Sequence, residues 1–167
     1  IMPTWRNWLD SVPDKDFEES DYFRHYMGLL NSERLNQILE KYDLEVNFYL
    51  HAKFQEYADT FKSISKRIHL ISFGEVAVNE MLMRCRMLIT DYSSVCWDIL
   101  YQDKPSLFYQ FDIEKYNEAH GSYIDMETEL FGDRAATQEQ LLDYLEETVQ
   151  NDFRLKPEYE KMRGEYL

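Results

Sequence analysis

The sequence predicts an α/β fold, a parallel sheet flanked by helices, and two observations carry that expectation. Short apolar runs alternate along the chain with segments of helical period, an order that implies parallel strands joined by right-handed crossovers. With 167 residues and 44% hydrophobic side chains, the chain can bury a proper core, and one domain over 1–167 is expected.

The elements follow in order. Ile1 to Trp5 reads as the end of a strand, and Asp10 to Asp21 as a polar, acidic loop. Leu30 to Tyr42 places Leu30, Leu35, Ile38 and Leu39 at helical spacing, with Asn31 or Ser32 as N-cap. Val46 to Leu50 is a strand ending at His51, and Lys53 to Phe61 a short helix. Ile68 to Ile71 is the next strand, closed by Ser72-Phe73-Gly74. Val76 to Cys85 reads as helix, Met87 to Ile89 as strand, Ser93 to Tyr101 as helix and Ser106 to Tyr109 as strand. Two acidic helices, Gln138 to Val149 and Pro157 to Tyr166, close the chain.

Charge narrows the function. Lys and Arg number 18 against 32 Asp and Glu, a net charge of −14, which argues against nucleic acid as partner. Any phosphorylated ligand must therefore find a locally positive pocket in a negative field. The longest stretch without Asp, Glu, Lys or Arg is eight residues, His25 to Ser32, far short of the roughly 20 apolar residues of a membrane span. No signal-peptide pattern is visible. Cys85 and Cys96 are too few for a disulfide framework, so a reduced cytosolic setting is expected. The first residue is Ile1, not Met, and the chain is expected to be a fragment lacking an N-terminal part.

Ligands of parallel α/β sheets bind beyond the carboxyl ends of the strands, so chemistry is sought there. Thr90-Asp91-Tyr92-Ser93-Ser94 follows an apolar strand and opens a helix, placing three hydroxyls and free backbone N–H groups where phosphate oxygens can be held. Helix capping alone would also select such residues. His51 ends a strand on the same edge and is suited to proton transfer or phosphate binding. Asp98, four residues beyond Ser94, suits ribose hydroxyls. Arg6 is the foremost candidate cation and Lys104 the next; Lys53 and Arg84 could also serve but stand out no more than other surface cations. Ser72, Phe73 and Gly74 are placed to line a base pocket. Trp5, Trp8, Trp97, Tyr92 and Phe108 are expected as packing aromatics, and no tight acidic pair or His/Asp cluster demands a metal.

Met2-Pro3-Thr4-Trp5-Arg6, the strand-end His51, and Met87 to Val95 with Asp98 together resemble the CDP-glycerol glycerophosphotransferases of bacterial teichoic-acid synthesis. Lys104-Pro105, Phe111-Asp112, Tyr116 and Gly121-Ser122-Tyr123-Ile124-Asp125 continue the match through nearly the whole chain. The resemblance implies a GT-B architecture in which this chain is the C-terminal, CDP-alditol-binding half, the acceptor domain being absent. It implies transfer of an alditol phosphate, glycerol phosphate first, from a CDP-activated donor to a hydroxyl of a lipid-linked polyol-phosphate or glycan acceptor. That hydroxyl attacks the β-phosphorus and CMP leaves, at the inner face of the cell membrane. His51 then matches the family's essential His of this half, Thr90, Ser93 and Ser94 its diphosphate loop, and Arg6 its Pro-Thr-Trp-Arg motif. A divalent metal at the diphosphate is left open.

Three departures bear on activity. Ala52 follows His51 where the family has Pro, and His120 stands where it commonly has Arg. The His-Gly motif of the family's N-terminal domain is absent, so the chain alone is expected to bind donor weakly and to catalyse little. A GT-B glycosyltransferase using a nucleotide sugar is the nearest alternative, and a non-catalytic binding module a further one. A phospho-acceptor receiver domain would need an acidic pair where Pro3-Thr4-Trp5-Arg6 stands.

Overall fold

The computed structural model describes residues 1–122 and 124–167. Tyr123, within the Gly121–Asp125 segment of the resemblance, lies outside the described residues. The chain divides into two compact units, Ile1–Val76 and Ala77–Leu167.

The first unit is built on aromatic packing. Helices α1 (Asp14–Glu18), α2 (Asp21–Leu30) and α3 (Glu33–Lys41) precede strand β1 (Val46–Tyr49), a 3-10 helix (Ala52–Thr60) and strand β2 (Ile68–Ile71). Ser20 and Ser32 start α2 and α3 by accepting from the Phe23 and Leu35 amides at 3.2 and 3.1 Å, satisfying donors the helix itself leaves open. β1 and β2 pair in parallel, Val46 against Ile68 through Tyr49 against Ile71.

The stretch expected as a polar loop contains α1, because its one aromatic, Phe17, anchors the core. Phe17 is fully buried, stacked on Tyr57 at 3.9 Å and set edge-on to Phe54 and Phe61. One aromatic and Val12 among acids give no period to read. Ile1–Trp5 is not a strand. The Ile1 nitrogen donates to the Asn47 carbonyl and the Ile1 carbonyl accepts from Tyr49, but Pro3 has no N–H with which to extend a ladder. The helix expected after His51 is of the tighter 3-10 kind.

Phe17→Ala is expected to lower the stability of this unit by about 3–5 kcal/mol, the usual cost of emptying a large aromatic site. Urea unfolding followed by tyrosine fluorescence checks it, with Phe17→Leu costing less. A loss under 1 kcal/mol, against that same range, would show that the ring stack is not the core's anchor.

In the second unit α4 (Val78–Arg84), β3 (Leu88–Thr90), α5 (Val95–Tyr101), β4 (Ser106–Tyr109), α6 (Ile113–Ala119), β5 (Asp133–Ala135), α7 (Gln138–Gln150) and α8 (Pro157–Tyr166) follow in order. The sheet order is β3-β4-β5, all parallel, as the alternation predicts. The central strand β4 is buried at every position, which its run Ser-Leu-Phe-Tyr allows because both faces are covered. Thr137 caps α7 by accepting from the Gln140 amide, while Gln140 reaches back to the Ala136 amide. Neither α6 nor β5 is expected from the sequence. β5 reads Asp-Arg-Ala and is held by its register, Leu107 against Asp133 through Tyr109 against Ala135, not by propensity.

Candidate functional site: two strand-end clusters

In the first unit the carboxyl ends of β1 and β2 are tied together by Gln55. Its amide donates to the Leu50 carbonyl and accepts from the Phe73 backbone N–H, both at 3.0 Å. His51 and Ser72-Phe73-Gly74 are thereby held on one edge. Gly74 has φ +84°, a conformation glycine adopts without strain, and it leaves Phe73 61% exposed. His51 caps the 3-10 helix, its Nδ1 accepting from the Lys53 N–H at 3.2 Å. That bond assigns the tautomer: with Nδ1 an acceptor, the neutral ring carries its proton on Nε2. The Trp5 ring lies alongside the imidazole, 6.5 Å between centroids and 24° between planes. Lys53 places its ammonium 3.8 Å from the centre of the same indole.

In the second unit the Thr90–Ser94 turn leads from β3 into α5. Thr90 and Asp91 are buried, Ser93 is half-buried and Ser94 exposed, so only the two serine hydroxyls face outward. Asp91 folds its carboxylate back onto the Tyr92 amide at 2.7 Å. Ser93 Oγ accepts from the Val95 amide at 3.4 Å, which leaves its own O–H to donate. Ser94 sits at the N-cap position without a side-chain capping bond. The turn is braced from below by Gln110, whose amide donates to the Asp91 carbonyl at 2.9 Å. It is braced from the side by Tyr92, whose O–H donates to Asp112 and whose ring stacks on Tyr116 at 3.7 Å. His120 continues that stack at 4.8 Å. Asp98, four residues beyond Ser94, is exposed on α5.

The candidate cations separate sharply. Arg6 is fully buried, its guanidinium donating to the Thr4 carbonyl at 2.8 Å and lying over the Tyr22 ring at 5.1 Å. Lys104 closes α4, donating to the Leu82 and Met83 carbonyls and to Gln102 within 2.9 Å. Arg84 pairs with Glu80 at 2.9 Å. Lys53 remains exposed beside His51. Sequence reasoning missed Gln55 and Gln110, because a side chain reaching a strand end 18 or 19 residues away leaves no local pattern. It took Tyr92 only as packing, whereas its O–H bond to Asp112 fixes the turn.

Neither cysteine offers chemistry. Burial pushes the Cys96 thiol up to about 12 and raises that of Cys85, so both stay protonated. Among the described residues no group of three or more His, Cys, Asp or Glu could hold a metal ion. The hydroxyl donors of the turn suit an anion. No helix among the described residues is long and apolar enough to cross a membrane. A cavity of about 570 Å³ is lined by Ser106, Asp133, Glu147, Arg154 and Lys156. It opens at the amino ends of β4 and β5, the edge of the sheet away from the turn.

This parallel α/β arrangement is GT-B-like in fold. It superposes on the structure of the Wall Teichoic Acid Polymerase TagF with a TM-score of 0.68 at 22% identity, over 99% of this chain and 37% of that one. A histidine-to-asparagine variant of that polymerase soaked with CDPG gives a TM-score of 0.65 at 23% identity, over 99% of this chain and 35% of that one.

The chain belongs to the CDP-Glycerol:Poly(glycerophosphate) glycerophosphotransferase family, which matches residues 1–167. The Minor teichoic acid biosynthesis protein GgaB of Bacillus subtilis is 29% identical over 96% of the chain, and a Teichoic acid glycerol-phosphate transferase of Staphylococcus aureus is 28% identical over 87%. The chain spans only 18% and 34% of the lengths of these two relatives.

Proposed function

We propose that the chain is the donor-binding part of an alditol-phosphate transferase of teichoic-acid synthesis. It takes a CDP-activated alditol, glycerol first, and serves transfer of the alditol phosphate to a hydroxyl of a lipid-linked or growing polymer. The observation that carries this reading is the family match over residues 1–167 falling on a chain whose β3 ends in the hydroxyl-bearing Thr90–Ser94 turn.

The residues divide the work by chemistry. Ser93 and Ser94 donate to the diphosphate without adding charge, and Thr90 sets the strand end beneath them. Asp98 takes the ribose hydroxyls, and Ser72, Phe73 and Gly74 line the base pocket with Phe73 as its stacking face. Arg6 acts at one remove, bracing the Thr4 carbonyl and with it the Trp5 that flanks His51. The acceptor hydroxyl gives up its proton to a second catalytic group and attacks the β-phosphorus. The bond from that phosphorus to the bridging oxygen breaks, and CMP leaves with the oxygen. His51, with its proton on Nε2, is built to donate to charge growing on phosphate oxygens rather than to take a proton there. Acceptor binding and the second catalytic group belong to an N-terminal domain of the same protein, so the chain alone binds donor and turns over little. The working place is the cytoplasmic face of the cell membrane, reached through that other domain.

Calorimetric titration of CDP-glycerol, CDP-ribitol and UDP-glucose into the chain tests the proposal. CDP-alditols are expected to bind more tightly than UDP-glucose. Ser93→Ala/Ser94→Ala is expected to weaken CDP-glycerol by about 1–3 kcal/mol, the cost of losing hydrogen bonds to a charged group. Unchanged affinity in the double variant removes the turn from the site, and tighter UDP-glucose makes the chain a nucleotide-sugar binder.

A further inference from the structure

We infer that Lys53 is the cation that receives the β-phosphate of the nucleotide donor beside His51, an assignment that rests on the donor site proposed above. A chain of net charge −14 repels a diphosphate unless a local cation faces it. Of the four candidate cations, two are engaged inside the fold and a third, exposed Arg84, is already paired with a carboxylate. Arg6 is buried against Tyr22, Lys104 holds the last carbonyls of α4, and Arg84 is paired with Glu80. Lys53 is exposed, and among the described residues no carboxylate lies within ion-pair distance of it.

Its position is fixed from two sides. The backbone N–H of Lys53 donates to His51 Nδ1, so the two residues move together. Its ammonium rests 3.8 Å from the centre of the Trp5 ring, which also flanks the imidazole. A carboxylate partner would neutralise the lysine, whereas an indole face restrains the flexible side chain and leaves its charge and N–H donors for an anion. The pair then offers a phosphate two kinds of donor, the ammonium of Lys53 and the Nε2–H of His51. The predicted consequence is selectivity: a diphosphate gains from Lys53, whereas a nucleoside monophosphate, which has no β-phosphate, does not.

The test is calorimetric titration of CDP-glycerol and of CMP into the unmodified chain, Lys53→Ala and Lys53→Arg, with circular dichroism confirming the fold. Lys53→Ala is expected to weaken CDP-glycerol about tenfold and to flatten its salt dependence, while CMP binding changes by less than about twofold. Lys53→Arg keeps the charge and is expected to stay within about threefold of the unmodified chain. If Lys53→Ala binds CDP-glycerol as the unmodified chain does, or weakens CMP equally, the assignment of Lys53 is overturned and the donor site stands. If the unmodified chain binds neither ligand, the donor site itself fails and Lys53 with it.

Discussion

Replacing His51 with alanine is expected to lower CMP release by a factor on the order of 10²–10⁴, when the chain is assayed within a polypeptide of its relatives' full length. The structure makes the prediction more specific than loss of a histidine. Nδ1 accepts from the Lys53 amide, so in the proposed role it is Nε2 that meets the phosphate. Asparagine reproduces the Nδ1 position and can keep the cap of the 3-10 helix, yet it offers nothing where Nε2 stood. His51→Asn is therefore expected to fold normally and to be as slow as His51→Ala. Glutamine can place an N–H near the Nε2 position and is expected to retain part of the rate. Release measured from CDP-glycerol decides: a rate within about threefold of the unmodified enzyme for alanine would remove His51 from the chemistry. Glutamine as slow as alanine would instead argue for proton abstraction by the ring.

The second large effect is structural. A Cβ added at Gly132 would lie 2.0 Å from the Ser106 carbonyl oxygen and 2.9 Å from the Phe108 ring. The nearer atom is backbone of β4, the central strand, so relief requires β4 and β5 to part. Gly132→Ala is expected to cost about 3 kcal/mol or more, at the upper end of overpacking penalties. Because Thr90 on β3 is registered against Phe108, the hydroxyl turn should lose its footing and nucleotide binding should fall with stability. Gly164 is the control: nothing lies within 4 Å of an added Cβ there, and it is exposed within α8. Gly164→Ala should be neutral or stabilising by up to about 1 kcal/mol. Thermal unfolding of the two variants side by side separates these outcomes, and equal midpoints would refute the close packing of β4 against Gly132.

Most strands were legible because their burial is written in apolar runs. Ile68–Ile71 and Ser106–Tyr109 stand where the sequence places them, and Ser32 caps α3 as its position suggests. Element ends moved by two residues at Val78 and Val95 and by three at Glu33, where Ser32 caps α3 and Leu30 closes α2, a helix not expected from the sequence. What escaped were elements held by distant partners. α1 exists for Phe17, whose contacts lie 37 to 44 residues onward at Phe54, Tyr57 and Phe61. β5 exists because β4 offers it a register. At the candidate site, residue types and strand-end positions were readable, but which cation stays available was not. Arg6 ranked first by motif and is buried; Lys53 ranked low and is exposed beside His51.

By itself the sequence determined the parallel α/β class, the acidity that a phosphate ligand must overcome, and the strand ends where polar chemistry gathers. These are properties of composition and local period, which each short segment carries regardless of its neighbours. The tertiary structure decided the His51 tautomer, the bracing of the Thr90–Ser94 turn by Gln110 and Tyr92, and the sorting of the cations into buried, capping, paired and exposed. Those depend on burial and on partners far along the chain, and only packing brings such groups within hydrogen-bonding distance of one another.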